Sequence, residues 1–189
     1  MAEAVCETGR LRLRDWKAED GDAFYAVMNT PAVMQNLGGV QTREEWQAAL
    51  DRLHGYQRDF GHTFWIVEDK GTSELLGFCG LKRVNSPGAG ALTGEAEIGW
   101  RLRESAWGQG IAKEAAIATL DLAFGRFGYP RVFALTVPSN EASWGLMRRL
   151  GMQRREDLDF IDVRYGPDLN PCIIYGIEAA NWPAAPQAS

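Results

Sequence analysis

The 189-residue sequence predicts a single α/β domain with a central mixed, mostly antiparallel sheet flanked by helices. Three observations point there. The length suits one domain at roughly 150 residues apiece. Segments of alternating apolar residues are interleaved with segments of 3.6-residue period. One strand-like segment runs through a glycine loop directly into a helix-like one, EAEIGWRLRESAWGQGIAKEAA at 95–116. The domain is placed at 8–182, and 183–189, Pro/Ala-rich with small polar residues, is read as a frayed tail.

Each element follows from its local pattern. Residues 11–15 read as a strand, with Leu11 and Leu13 on one face and Arg12 and Arg14 on the other. A short helix at 20–28 has Phe24, Val27 and Met28 as its apolar face, and Pro31 is expected to end it. A stronger helix at 42–60 opens on a capping box, Thr42 with Glu45, and carries the stripe Trp46, Leu50, Leu53 and Phe60. Strands at 63–68 and 74–83 are joined by the turn DKGTS. The stretch VNSPGAGALTG at 84–94 reads as a long, mobile excursion.

A further strand at 95–102 sets Glu95, Glu97 and Gly99 against Ala96, Ile98 and Trp100. The mostly apolar segment 110–127 predicts a long helix buried broadly on the sheet, closed by Gly128-Tyr129-Pro130. A strand follows at 131–137. The helix at 140–150 ends at Gly151, with Arg148 and Arg149 in its last turn, the favourable end for cations. Two last strands are expected near 153–160 and 172–177.

Composition excludes several classes. Hydrophobic residues make 46% and charged residues 24%, enough apolar surface to offset chain entropy. No apolar run approaches the roughly 18–20 residues of a membrane helix. The first nine residues hold two acids and no base, unlike a signal peptide. Twenty bases against 25 acids leave a net charge of -5, which disfavours nucleic acid as a partner. Cys6, Cys79 and Cys172 lie far apart and read as reduced thiols of a cytoplasmic protein. No CxxC pair exists, and His54 and His62 have no third ligand nearby, so no metal is expected. His62, just before a strand, is expected to be solvated, and Trp46, Trp65, Trp100, Trp107 and Trp144 to belong to the core.

The glycine loop carries the chemistry. Gly108 and Gly110 let the backbone approach an anion, and Ile111 and Ala112 begin a helix whose dipole favours negative charge, so the loop suits a phosphate or diphosphate. It is not a dinucleotide fingerprint, because Lys113 stands where G-x-G-x-x-G needs its third glycine, and it is not a P-loop. A tight turn with no ligand is the other reading of the two glycines.

The wider pattern resembles the GNAT superfamily of acetyl-CoA-dependent N-acetyltransferases, and within it the RimJ/RimL-like branch, which includes ribosomal-protein N-terminal acetyltransferases. The superfamily's diphosphate loop, Q/R-x-x-G-x-G/A, falls on 107–112, and Trp107 departs from its first position. The branch's form, W-G-x-G-x-A-x-E-A, matches 107–115. A second signature, an Asn followed by a helix ending L-G-F, is similar to Asn140, Ser143 and Leu150-Gly151-Met152. The opening TGRLRLR at 8–14 with Trp16 also resembles the start of this branch. The likeness covers about 8–177.

The resemblance implies a GNAT-like fold, acetyl-CoA as co-substrate and a primary amine as acceptor, with direct attack in a ternary complex. It places Gly108, Gln109, Gly110, Ile111, Ala112 and Lys113 at the diphosphate. Backbone near Leu102 would pair with the pantetheine like an added strand, and Asn140 would hydrogen-bond it. Amide formation needs a base for the amine and a proton for the leaving thiolate. Glu97 is the first choice as base and Glu95 its competitor, though both fit solvated acids on an open sheet face. Many members place a Tyr seven residues after the Asn; here that position is Met147, which cannot donate, and Ser143 is the candidate donor. Asn140 and Ser143 also fit a plain cap and a small residue admitting the pantetheine arm. Glu114, in the helix's first turn, reads as structural. Glu95, Glu97 and Asp51 would suit a cationic acceptor, selected by the first two helices and the 84–94 loop. The acceptor is a protein N-terminus or a small-molecule amine, and a homodimer fits the family. A non-catalytic acyl-CoA-binding regulatory module is the alternative, and an interaction domain that binds no CoA a third reading.

Overall fold

A computed structural model describes residues 4–183; of the segment read as a tail, 184–189 lie outside the described residues. The strands are β1 Ala4–Glu7, β2 Leu11–Arg14, β3 Phe64–Asp69, β4 Leu75–Arg83, β5 Ala96–Leu102, β6 Arg131–Thr136, β7 Gln153–Arg154 and β8 Ile173–Glu178. The α-helices are α1 Asp20–Met28, α2 Pro31–Met34, α3 Arg43–Phe60, α4 Ile111–Asp121 and α5 Glu141–Arg149. Hydrogen bonding orders the strands β1-β2-β3-β4-β5-β6-β8-β7. The pairs β1–β2, β2–β3, β3–β4, β6–β8 and β7–β8 are antiparallel, and β5–β6 is parallel. This is the mixed, mostly antiparallel sheet read from the sequence. By internal packing the chain divides into two units, one of residues up to Lys82 with Gly99–Ala118, the other of Arg83–Ile98 with the residues from Thr119 on.

In the first unit, β2, β3 and β4 pair antiparallel, and Leu11, Leu13, Ile66, Val67 and Leu76 are all buried; the consecutive Ile66 and Val67 point to opposite faces, so β3 is covered on both. The capping box of α3 is present, with Thr42 Oγ accepting from the Glu45 amide at 3.2 Å and the Glu45 carboxylate accepting from the Thr42 amide at 2.8 Å. Trp46, Leu50 and Leu53 are buried as the stripe requires, and Trp46 stacks on Phe24, which stacks on Phe78, at 5.0 and 5.3 Å. Phe60 departs from the stripe. It is 42% exposed at the last helical residue, where its ring meets Tyr56 and His62 instead of the core.

The first unit also holds a buried ion network. Arg14 donates to Glu68 at 2.7 Å and to both oxygens of Asp20 at 2.6 and 2.9 Å, and all three residues are buried. Arg14 lies on the strand face opposite Leu11 and Leu13, as the alternation predicts, and that face is buried here too; two carboxylates offset its desolvation. Two further differences arise locally. Pro31 does not simply end α1 but starts α2 at the position where its missing N–H costs nothing, with Thr30 as cap. His62 is fully buried, not solvated, with Nδ1 3.0 Å from the Leu81 carbonyl. Strand β1 was not foreseen; four residues with half-buried interiors carry little periodicity.

In the second unit, β6 and β8 share a six-residue antiparallel register, and Glu97 of β5 stands opposite Phe133 of β6. The 84–94 loop is not a bare excursion. Val84, Ala89 and Leu92 pack with Phe133 and Ile174 in a core cluster, and the Val84 amide donates to the Glu95 carbonyl at 2.9 Å. Its glycines gave it the composition of a loop, while its three apolar residues anchor it. Helix α4 begins as predicted but changes at Leu122 to a π turn, Leu122–Arg126, before Gly128 closes it at φ +63°. The segment expected as a strand at 153–160 narrows to β7, a short 3-10 turn and one bridge, Phe160 to Cys172.

Candidate functional site

The glycine loop lies in the first unit. Strand β5 ends at Leu102, a 3-10 turn at Glu104–Ala106 reverses the chain, and Trp107 leads into the loop. Gly108 and Gly110 both have positive φ, +73° and +77°, which a side chain would strain, and a methyl group placed on Gly108 would meet nothing within 4 Å. Alternation of left-handed glycines with an ordinary residue bends successive N–H groups towards one side, the backbone nest that favours an anion. Gly108, Gln109, Gly110 and Lys113 are exposed, Ala112 is half-buried, and Ile111 is buried, anchoring the first turn of α4. The first N–H groups of that helix have no partner inside it. The residues present therefore fit a diphosphate.

Trp107 is not core. It is 46% exposed and its indole N–H donates to the Leu102 carbonyl at 2.8 Å, so the oxygen at the end of β5 already accepts one bond. The next amide, Arg103 N–H, donates to the Leu76 carbonyl at 2.9 Å.

Around the loop stand residues the sequence reading passed over. Arg10 donates through Nη1 to the Gln109 carbonyl at 3.0 Å and through Nε to Glu114 at 2.8 Å. Glu114 also accepts from the Arg10 amide at 3.0 Å and from the Thr8 hydroxyl at 2.5 Å. Partial burial pushes the Glu114 carboxyl up, but the Thr8 hydroxyl and Arg10 outweigh it and hold the carboxyl below its usual range. The Gln109 side chain turns back to the Ser105 carbonyl at 2.6 Å. The signal for this arrangement was the pair of β2 flanking residues, Thr8 and Arg10, legible as part of a family opening but not as neighbours of the loop.

Other candidates lie in the second unit. Glu97 is 8% exposed on β5. Glu95, its competitor, is paired with Arg131, and that hydrogen bond holds its carboxyl below the usual range against a smaller opposing effect of burial. Asn140 is the N-cap of α5: its Oδ1 accepts from the Ser143 amide at 3.3 Å. Ser143 is half-buried in that first turn. Met147 is 2% exposed and serves the core. Arg164 donates to Asp162 at 2.9 and 2.5 Å and to the Ser86 hydroxyl at 3.1 Å. Asp162 is the main cause that raises its pKa, and the charge of Glu97 adds to it, so a guanidinium lies within electrostatic range of the candidate base. In the first unit, Asp51 is exposed on α3 and accepts from Gln47 at 2.9 Å.

Among the described residues, no group of three or more His, Cys, Asp or Glu side chains could hold a metal ion, and no helix is long and apolar enough to cross a membrane.

The acetyltransferase (GNAT) domain family matches residues 10–153. The uncharacterized protein YkkB of Bacillus subtilis is 31% identical over 152 residues, covering 80% of this chain and 86% of its own length. Among solved structures, an acetyltransferase from Agrobacterium tumefaciens superposes with a TM-score of 0.76 at 24% identity, over 94% of this chain and 96% of that one. The ribosomal-protein-S5-alanine acetyltransferase of Vibrio fischeri gives a TM-score of 0.72 at 18% identity, over 94% and 98%. These two likenesses are likenesses of fold. The chain belongs to the GNAT acetyltransferase family, and with it to the acetyl-CoA-dependent acetyltransferases.

Proposed function

We propose that this chain transfers an acetyl group from acetyl-CoA to a primary amine, either a protein N-terminus or a small-molecule amine, by direct attack in a ternary complex. The observation that carries the reading is the pair of left-handed glycines, Gly108 and Gly110, exposed at the entry to α4. The resemblance to the RimJ/RimL-like branch, in the loop 107–115 and in fold, supports a protein N-terminus as one acceptor class.

In this reading the amides of 108–112 hold the diphosphate, with Lys113 adding positive charge. The Leu102 carbonyl, which keeps a second lone pair beside its bond to Trp107, accepts from the pantetheine arm. Asn140 spends Oδ1 on its cap, so it meets the arm through Nδ2. Glu97 takes the proton from the attacking amine. Its burial keeps water from competing for the carboxylate, whereas Glu95 is held by Arg131. Ser143 presents its hydroxyl to the departing sulphur, since Met147 cannot donate. The protein acts in the cytoplasm.

The test is thermal unfolding with and without acetyl-CoA, for the parent and for Gly110→Glu, each against its own unliganded Tm. A ligand at about 100 times its Kd adds roughly 2.7 kcal/mol of stability. A clear upward shift in the parent that is lost in the variant supports the loop as the CoA site, and an amine panel read by thiol release then finds the acceptor. No shift at millimolar acetyl-CoA overturns the reading.

A further inference from the structure

The first-unit loop has a feature that a bare glycine turn does not need. The peptide joining Gln109 to Gly110 has its carbonyl taken by Arg10, at 3.0 Å from Nη1. A trans peptide points its C=O and its N–H in opposite directions. Holding the Gln109 oxygen on the Arg10 side therefore holds the Gly110 N–H on the other side. The guanidinium lies close over this peptide: a methyl group placed on Gly110 would stand 3.6 Å from Arg10 Nη2.

Arg10 is itself immobilised. Its Nε and Nη2 both reach Glu114 Oε2, at 2.8 and 2.7 Å, and its own amide donates to Glu114 Oε1 at 3.0 Å. The same Oε1 takes the Thr8 hydroxyl, and Lys70 Nζ donates to the Thr8 carbonyl at 3.0 Å. Glu114 lies one turn into α4, so the clamp ties the start of that helix, the loop before it and the turn between β1 and β2 into one piece. An exposed loop with two glycines has many conformations to lose on binding. A clamp that removes them beforehand lowers the entropy cost of binding.

We propose that Arg10 is a positioning residue for the diphosphate of acetyl-CoA: through the Gln109 carbonyl, and braced by Glu114, it presets the loop so that the Gly110 amide faces the anion. This rests on the loop being the CoA site. Arg10 acts through the loop; it is not itself assigned a contact with the ligand.

The experiment compares the parent, Arg10→Met and Arg10→Lys by calorimetry with CoA and dephospho-CoA, by NMR titration with pantetheine, and by the amide shift of Gly110 on adding CoA. Arg10→Met is expected to raise Kd for CoA and dephospho-CoA alike by about tenfold, and to leave pantetheine within about twofold, because pantetheine lacks the diphosphate. The Gly110 amide, which shifts strongly in the parent, should move little in Arg10→Met. Arg10→Lys should recover only part of the loss, since one ammonium cannot brace against Glu114 and hold the carbonyl in the fork geometry. CoA affinity unchanged in Arg10→Met overturns the proposal. So does a loss seen with CoA and absent with dephospho-CoA, which makes Arg10 a direct ligand of the 3′-phosphate. An equal loss for pantetheine overturns it as well, by showing a general disturbance of the fold. A parent that binds no CoA fails the underlying reading and this one together.

Discussion

Glu95 and Arg131 make a two-point ion pair, 3.1 Å at Nε and 2.5 Å at Nη2. Alternation puts Glu95 and Glu97 on one face of the strand expected at 95–102, with Glu97 the first choice as base and Glu95 its competitor. The Arg131 pair weakens Glu95 as a base, because a carboxylate committed to a guanidinium holds a proton less readily. At pH 7, Glu97→Gln is expected to lower kcat/KM by about 100-fold or more, in the range of a lost general base. Glu95→Gln should change it by less than about threefold, since its charge is already balanced. Steady-state kinetics with an accepted amine decides between them; full activity in Glu97→Gln removes Glu97 as base.

The same pair predicts a pH dependence of stability. The folded Glu95 carboxyl lies below its ordinary value of 4.5. Its contribution is then fully present above that value and lost as pH falls through the lower folded value. The difference in unfolding free energy between parent and Glu95→Gln, read by urea denaturation, should be flat between about pH 5 and 8 and shrink below about pH 4, and should amount to under about 1 kcal/mol.

Asn140 permits a clean separation of cap from ligand contact. Asn140→Asp keeps an oxygen for the Ser143 amide and loses Nδ2. It should fold as stably as the parent while raising KM for acetyl-CoA. Asn140→Ala should also lose about 1 kcal/mol of stability, a typical cap cost. Ser143→Ala spares the cap, which uses the Ser143 backbone. It should lower kcat by about tenfold with CoA affinity unchanged if the hydroxyl reaches the leaving sulphur; an unaltered kcat removes Ser143 from the chemistry.

Arg14 is the keystone of buried charge in the first unit. Arg14→Met leaves Asp20 and Glu68 in the interior without their guanidinium. Urea denaturation should show a loss of about 3–5 kcal/mol.

Leu92 tests whether the 84–94 loop is anchored. It is buried against a cluster that includes Phe133 and Ile174. Leu92→Ala should cost about 2–5 kcal/mol in the same assay; a loop that only drifts over the surface would lose nothing.

Much of this protein was legible in local pattern. Thr42 and Glu45 announced α3, Gly151 announced the end of α5, and the DKGTS turn announced β3 and β4, because capping and turn chemistry act over a few residues. The glycine loop was legible for the same reason: positive φ at Gly108 and Gly110 is a demand the sequence itself displays. Pairing across long stretches of chain was not. Nothing near Arg14 names Glu68 as its partner, 54 positions away, nothing near Glu95 names Arg131, and nothing near Gln109 names Arg10, 99 positions away. Periodicity tells which face a side chain occupies, but the charge it meets there is brought by another element. The sequence alone therefore determined most of the elements, the capping box of α3 and the glycines that bend the loop. Only the tertiary structure decided which acid is neutralised, which basic residue holds the loop and which loop residues are buried, because those outcomes depend on contacts that folding brings together from distant parts of the chain.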